Sequence, residues 1–175
     1  MDRQIQPAAR PLWRTALALG VLFLIDLGFL GQGVFALIVA FLGVTLHAAR
    51  SAWSALRGPR PLAQTRALRG GLYLLLGVAT FVALRVHEFT GATRAEQLIQ
   101  ACRAYQTKYG QLPGSLQQLV PEFLSAVPRA KYASIYADFT YWVSDAGGHR
   151  LMYVVVPPFG RRIHDFERDA WGSID

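Results

Sequence analysis

Residues 72–110 read LYLLLGVATFVALRVHEFTGATRAEQLIQACRAYQTKYG, and this stretch decides the fold. It begins as an apolar run from Leu72 to Leu84, passes through Arg85, His87 and Glu88, and then becomes amphipathic. The apolar positions Leu98, Cys102, Tyr105 and Tyr109 are spaced four, three and four residues apart, which is one face of a helix. A membrane anchor and a water-exposed domain therefore meet in one segment.

The composition of the whole chain favours a membrane protein. Of its 175 residues, 53% are apolar and 17% charged, against about 45–50% and about 25% in typical soluble domains. The net charge of +7 lies entirely in residues 1–87, which hold nine Arg and only two acids, whereas residues 88–175 hold nine basic and nine acidic residues. Basic residues that flank apolar helices orient them in a membrane. The charge is therefore a topology signal, and no nucleic-acid partner is expected.

Three membrane crossings are predicted. Residues 12–49 form a transmembrane hairpin of two short crossings, Arg14–Leu30 and Gly33–Ala49, with a turn at Gly31-Gln32-Gly33. The third crossing, residues 70–87, has an apolar core from Gly70 to Leu84, so that Arg85 must reach toward the headgroups.

The remaining segments set the predicted orientation. Residues 1–11 form a polar N-terminus, and residues 50–69 form a basic loop with five Arg, no acid and the turn signal Gly58-Pro59. By the positive-inside rule both are cytoplasmic. Residues 88–175 then form an extracytoplasmic domain, and the predicted location is a bacterial inner membrane.

The C-terminal domain is predicted to be α+β. Thr93 and Glu96 fit a capping box, and Gly91 fits a hinge, so residues 72–110 are either one long helix or two. Ser115 and Gln118 fit a second capping box, for a short helix over Leu116–Val120. Residues 139–143 and 150–156 predict an antiparallel strand pair, and residues 163–167 with Trp171 a third strand.

A family resemblance rests on residues 98–128, LIQACRAYQTKYGQLPGSLQQLVPEFLSAVP. The order Tyr109-Gly110, then Pro113, then a short Leu-rich helix resembles type IV pilins and type II secretion pseudopilins. The resemblance extends loosely over residues 72–165. It implies a membrane-rooted helix packed on a small antiparallel sheet, and partners in a pilus or secretion assembly.

Departures from that family favour a permanently fixed anchor. Prepilins carry a Glu five residues into the mature helix, whereas counting from either glycine of Gly70-Gly71 places Leu75 or Leu76 there. Two further crossings precede this helix. Cleavage by a prepilin peptidase and packing into a filament are therefore not expected.

Candidate site residues are few, and no catalytic residue or cofactor is expected. The partner-surface candidates are the strand aromatics Tyr141, Trp142, Tyr153 and Trp171. Secretion pseudopilins often bind calcium in this region, which makes Asp138, Asp145, Asp165 and Asp169 weak candidates, although a solvated acidic edge is the favoured interpretation.

Two single residues allow a structural and a functional interpretation. Asp26 lies within an apolar crossing, where an acid is costly, but its closeness to Gly31 favours a position at the interface. Cys102 lies on the apolar helix face and is interpreted as a core residue. The favoured function is a structural or accessory protein of pilus or secretion machinery, anchored in the lipid bilayer. The alternative is an extracytoplasmic sensor or ligand-binding module.

Overall fold

The computed structural model describes residues 11–57, 60–144, 147–155 and 160–174, with only the backbone described for 57 and 60–63. Its helical part consists of α1 (Leu12–Phe23), a π-helical turn (Leu24–Phe29), α2 (Val34–Arg57) and α3 (Arg60–Tyr109). Three helical stretches are long and apolar enough to cross a membrane: Leu12–Phe29, Val34–Leu56 and Gln64–Tyr109.

The predicted turn between the first two apolar helices is present. Gly31 and Gly33 have φ values of 69° and 72°, a left-handed conformation that glycine adopts without steric cost. Gly31 also lacks room for a side chain, because an added Cβ would lie 2.8 Å from the Cβ of Ala133.

The predicted basic loop over residues 50–69 is mostly helical, which corrects that prediction. α2 continues to Arg57 and α3 begins at Arg60, while Gly58-Pro59 lie outside the described residues. The segment is rich in Arg, Ala and Leu, which are strong helix formers, and Pro61 is tolerated in the first turn of a helix. The predicted N-terminal segment, apart from Pro11, also lies outside the described residues.

Two compact units make up the chain, and the first comprises Met1–Leu24 and Val34–Thr80. Its core holds Leu19 of α1, Ala36 and Ala40 of α2, and Leu76 of α3. Small residues let α2 and α3 approach closely, a feature that is also common in helix pairs within membranes. A Cβ added to Gly43 would lie only 2.1 Å from the ring of Tyr73.

Helix α3 passes through Gly91 without a break, so residues 72–109 belong to one helix. The capping box predicted at Thr93 does not start a new helix, because the Thr93 hydroxyl donates to the carbonyl of Phe89 at 2.9 Å, one turn back in the same helix. Gly91 does not form a hinge. Its lack of a side chain lets neighbouring residues pack closely against α3. A Cβ there would lie 3.1 Å from the Tyr153 ring and 3.3 Å from the carbonyl oxygen of Ala130.

The second unit comprises Ile25–Gly33 and Phe81–Asp175. Its sheet has four antiparallel strands in the order β1 (Thr140–Val143), β2 (His149–Val154), β3 (Arg161–Asp165) and β4 (Ala170–Ile174). The predicted third strand is therefore two strands, which pair through His164 and Trp171. The turn between them consists of residues 166–169, where Asp169 has a φ of 47°.

The core of the second unit forms where α3 packs on the sheet. Ala95, Leu98 and Cys102 of α3 join Leu151 and Phe166 in one buried cluster. Leu98 and Cys102 follow the spacing read from the sequence and Tyr105 packs against the cluster, whereas Tyr109 at the end of the predicted face is 49% exposed. A helical N-terminal part followed by an α+β domain is therefore the observed fold class.

The predicted short helix after the turn is present as a 3₁₀ helix over Leu116–Leu119. Its predicted capping box is not formed, because the two side chains do not make the reciprocal bonds between Ser115 and Gln118. The side chain of Gln118 accepts a hydrogen bond from the backbone N–H of Gly114 at 2.8 Å, while the Ser115 side chain makes no capping bond.

Candidate functional site

A cleft of about 510 Å³ in the second unit concentrates positive charge. Its lining includes Arg94 of α3 together with Arg129 and Lys131 of the loop that precedes the sheet. No carboxylate is found among the lining residues in the described part of the chain. Residues 88–175 hold equal numbers of basic and acidic residues, and the local excess forms because folding brings Arg94 next to Arg129 and Lys131.

Arg94 connects α3 to one wall of the cleft. Its guanidinium donates to the Arg129 carbonyl at 2.7 Å and to the Tyr132 hydroxyl at 2.6 Å. The same guanidinium lies 4.6 Å from the centre of the Tyr132 ring, within range of a cation–π interaction. These contacts hold the loop against the helix, so that Arg94 and Arg129 line the same cleft.

Lys131 places an ammonium group in the wall of the cleft, although its side chain is only 2% exposed. Its Nζ donates to the Val155 carbonyl at 2.6 Å and more weakly to the Gly31 carbonyl at 3.4 Å. Within the described residues, no carboxylate forms an ion pair with it. Burial lowers the pKa of Lys131 from 10.5 to about 8, because an uncompensated charge is disfavoured away from water.

The loop with Lys131 is bonded to the turn between the first two apolar helices. The backbone N–H of Ser134 donates to the Gly28 carbonyl at 3.1 Å, and that of Ile135 donates to the Phe29 carbonyl at 3.0 Å. The turn therefore belongs to the same compact unit as the C-terminal domain. Neither this contact nor the cleft could be predicted from the sequence, since no local signal links segments about 100 residues apart.

Only some of the aromatic residues that were predicted to form a partner surface are exposed. Tyr153 is 2% exposed and packs edge-on against Phe139 and Trp171, with ring centres 5.6 and 6.0 Å apart. It is therefore a core residue and does not form part of a partner surface. Tyr141 and Trp142 of β1 are half-buried, and Trp171 is 42% exposed.

Tyr141 has a structural partner of its own. Its hydroxyl donates to the Pro113 carbonyl at 2.7 Å, and its burial raises the pKa of Tyr141 above the ordinary value. Strand β4, by contrast, is exposed along its whole length and forms one edge of the sheet. Trp171 and Ile174 on this strand are the exposed apolar side chains that best suit a surface for a partner protein.

The acidic candidates for calcium are not brought together. Asp138 pairs with Arg129 at 2.9 Å, and Asp169 pairs with Arg103 at 3.0 Å. Asp165 accepts from the backbone N–H groups of Glu167 and Arg168, and mainly the bond from Arg168 lowers the pKa of this carboxyl group. Asp145 lies outside the described residues. Elsewhere in the described chain, no three potential metal ligands cluster.

Asp26 and Cys102 are both buried in the second unit. Asp26 is 1% exposed in the π-helical turn, so its carboxyl group is buried within the protein. Cys102 is fully buried in the core of the α+β domain, as its helical spacing predicts.

Comparisons of the chain with protein-family models, with curated proteins and with solved structures give no match.

Proposed function

We propose that this chain is an inner-membrane accessory protein that presents a pilin-like domain to pilus or secretion machinery. The observation that carries the proposal is the course of α3. This helix contains an apolar stretch long enough to cross a membrane and continues without a break into a domain core. There it packs along a four-stranded antiparallel sheet.

This arrangement has the elements expected of a pilin-like protein. The segment Tyr109–Pro113 after α3 carries the Tyr, Gly and Pro pattern, and Gly110 ends the helix with a φ of 77°. The short Leu-rich helix follows at Leu116–Leu119. Likeness of fold does not by itself establish function, so the proposal also needs a surface for partners.

The edge strand β4 is the proposed partner surface. An exposed edge strand presents unpaired backbone N–H and carbonyl groups, which can pair with a strand of another protein. Trp171 and Ile174 are 42% and 53% exposed on this strand. Trp is also among the residues that contribute most to protein interfaces.

Site-specific photo-crosslinking in living cells tests this proposal. A photoreactive amino acid at Ile174 is expected to give adducts with pilus or secretion subunits. The matched position is Tyr109, which is similarly exposed at 49% but lies on α3, and it is expected to give few or none. Equal capture at both positions, or adducts that contain no such subunit, would refute the proposal.

The proposed orientation has its own test. A reporter that is active only outside the cytoplasm should give signal when fused at Asp175 and none when fused at Arg60. The reverse pattern would refute a cytoplasmic N-terminus and an extracytoplasmic domain.

A second candidate function is a sensor or ligand-binding module. It is favoured by a cleft of about 460 Å³ that the strand aromatics Phe139 and Tyr141 line together with Ser115 and Gln117. Specific small-molecule binding that is lost on Phe139→Ala would favour this function. Co-purification with pilus or secretion proteins would favour the first.

A further inference from the structure

The basic cleft described above holds more hydrogen-bond donors than the protein itself uses. A guanidinium has five N–H donors and an ammonium has three. Hydrogen bonds within the protein use two donors of Arg94, one of Arg129 and two of Lys131. Phosphate oxygens are the acceptors that such groups bind most strongly, because both partners are charged.

Residues around the cleft have the character of a membrane interface. The backbone of Gly28, which lines the cleft, belongs to the apolar stretch Leu12–Phe29. In the same unit, Phe29 is 54% exposed and Phe89 is 75% exposed. Arg94 follows Phe89 by five residues, which is about 7.5 Å along the helix. Exposed apolar side chains followed by cations are typical of segments at the headgroup level.

We propose that this cleft binds the phosphate group of an anionic ligand, and that the ligand is a membrane phospholipid headgroup. Arg129 and Lys131 contact the phosphate oxygens. Arg94 holds the loop in place and offers its free N–H groups to the same phosphate. Phe29 and Phe89 contact the acyl chains. A soluble phosphate ester offers the same oxygens to the cleft but makes no use of the exposed apolar residues.

Native mass spectrometry of the full chain in neutral detergent tests this proposal. The probes are phosphatidylglycerol, diacylglycerol, which lacks the phosphate, and glycerol 3-phosphate, which lacks the acyl chains. We expect one phosphatidylglycerol to be retained per chain and diacylglycerol to be retained far less. Glycerol 3-phosphate should compete only at much higher concentration.

Variants locate the site. Arg129→Gln and Lys131→Met are each expected to weaken phosphatidylglycerol binding about tenfold, as the loss of one charge-assisted contact implies. Arg129 is exposed, and among the described residues its ion pair is with Asp138, so this variant is expected to fold. Arg168→Gln removes an exposed cation on the turn between β3 and β4, and it should leave binding unchanged.

Each outcome decides the question. Tight binding of glycerol 3-phosphate with the same variant dependence would support a phosphate site but overturn the lipid as its source. Equal retention of phosphatidylglycerol and diacylglycerol would overturn the proposal. So would cleft variants that bind as Arg168→Gln does. The measurement involves no pilus or secretion protein, so its result is independent of the proposed cellular function.

Discussion

Replacing Lys131 by Met changes how the stability of the protein depends on pH. The Lys131 ammonium is buried, and only two backbone carbonyls contact it. Its pKa is about 8 in the folded protein and 10.5 in an exposed lysine. The unfolded chain therefore holds the proton more tightly than the folded chain does.

The size and sign of the effect follow from proton linkage. Below pH 8 both states carry the proton, so the contribution of Lys131 to the free energy of unfolding is constant and at its lowest. Between pH 8 and 10.5 only the unfolded state keeps the proton, and the free energy of unfolding rises with pH. At about 1.4 kcal/mol per pH unit, the total rise is about 3 kcal/mol. The Met variant lacks this rise.

Urea unfolding in neutral detergent, followed by tryptophan fluorescence at several pH values, measures the difference between the two proteins. The buffer contains neither phosphate nor anionic lipid, so that no ligand pairs with the ammonium. Lys108→Met, which removes the other lysine of the chain, should keep the rise. Parallel curves for the wild type and the Lys131→Met variant between pH 8 and 10.5 would refute the assignment of a desolvated ammonium.

Three further substitutions test packing and titration. Gly91→Leu should destabilise the C-terminal domain by about 1–3 kcal/mol, since even a Cβ there would lie 3.1 Å from an aromatic ring; urea unfolding measures this. Gly43→Leu should make α2 more sensitive to protease, because a Cβ would overlap the Tyr73 ring, whereas Gly20→Leu meets nothing within 4 Å at its Cβ and should have no such effect. His164→Phe should make unfolding less sensitive to acid below pH 6.5. Burial lowers the pKa of His164 in the folded protein, so the free energy of unfolding of the wild type falls as the pH falls. Identical pH profiles for the two proteins would contradict this.

The sequence predicted elements well where the signal is local. The turn at Gly31–Gly33 follows from two glycines between apolar runs, and the buried face of α3 follows from the spacing of Leu98 and Cys102. The division of the chain into a part with long apolar helices and an α+β domain follows from its charge and hydropathy.

Other features depend on contacts between distant residues, which local patterns do not contain. Thr93 fits a helix start, but packing of α3 on the sheet continues the helix through it. Gly91 fits a hinge, but its role becomes visible only when Tyr153 lies against it. The sequence does not indicate that β3 and β4 are separate strands, because the turn between them uses a left-handed Asp169 and no glycine.

The candidate site shows the same contrast between features with a local sequence signal and features that depend on distant contacts. Trp171 could be predicted as a surface aromatic residue, whereas the burial of Tyr153 at 2% could not. The basic cleft could not be predicted from the sequence, because Arg94 lies 35 residues before Arg129 and 37 residues before Lys131.

The bonds from Ser134 and Ile135 to the turn at Gly28 and Phe29 have a consequence for biogenesis. The ribosome makes this turn about 100 residues before it makes the loop that binds it, so residues 25–33 emerge well before the rest of their compact unit can close on them. Closing so long a loop carries an entropic cost. The domain therefore completes its fold on a template that is already in place. A fragment that starts at Glu88 lacks that template and leaves two backbone N–H groups without their native acceptors.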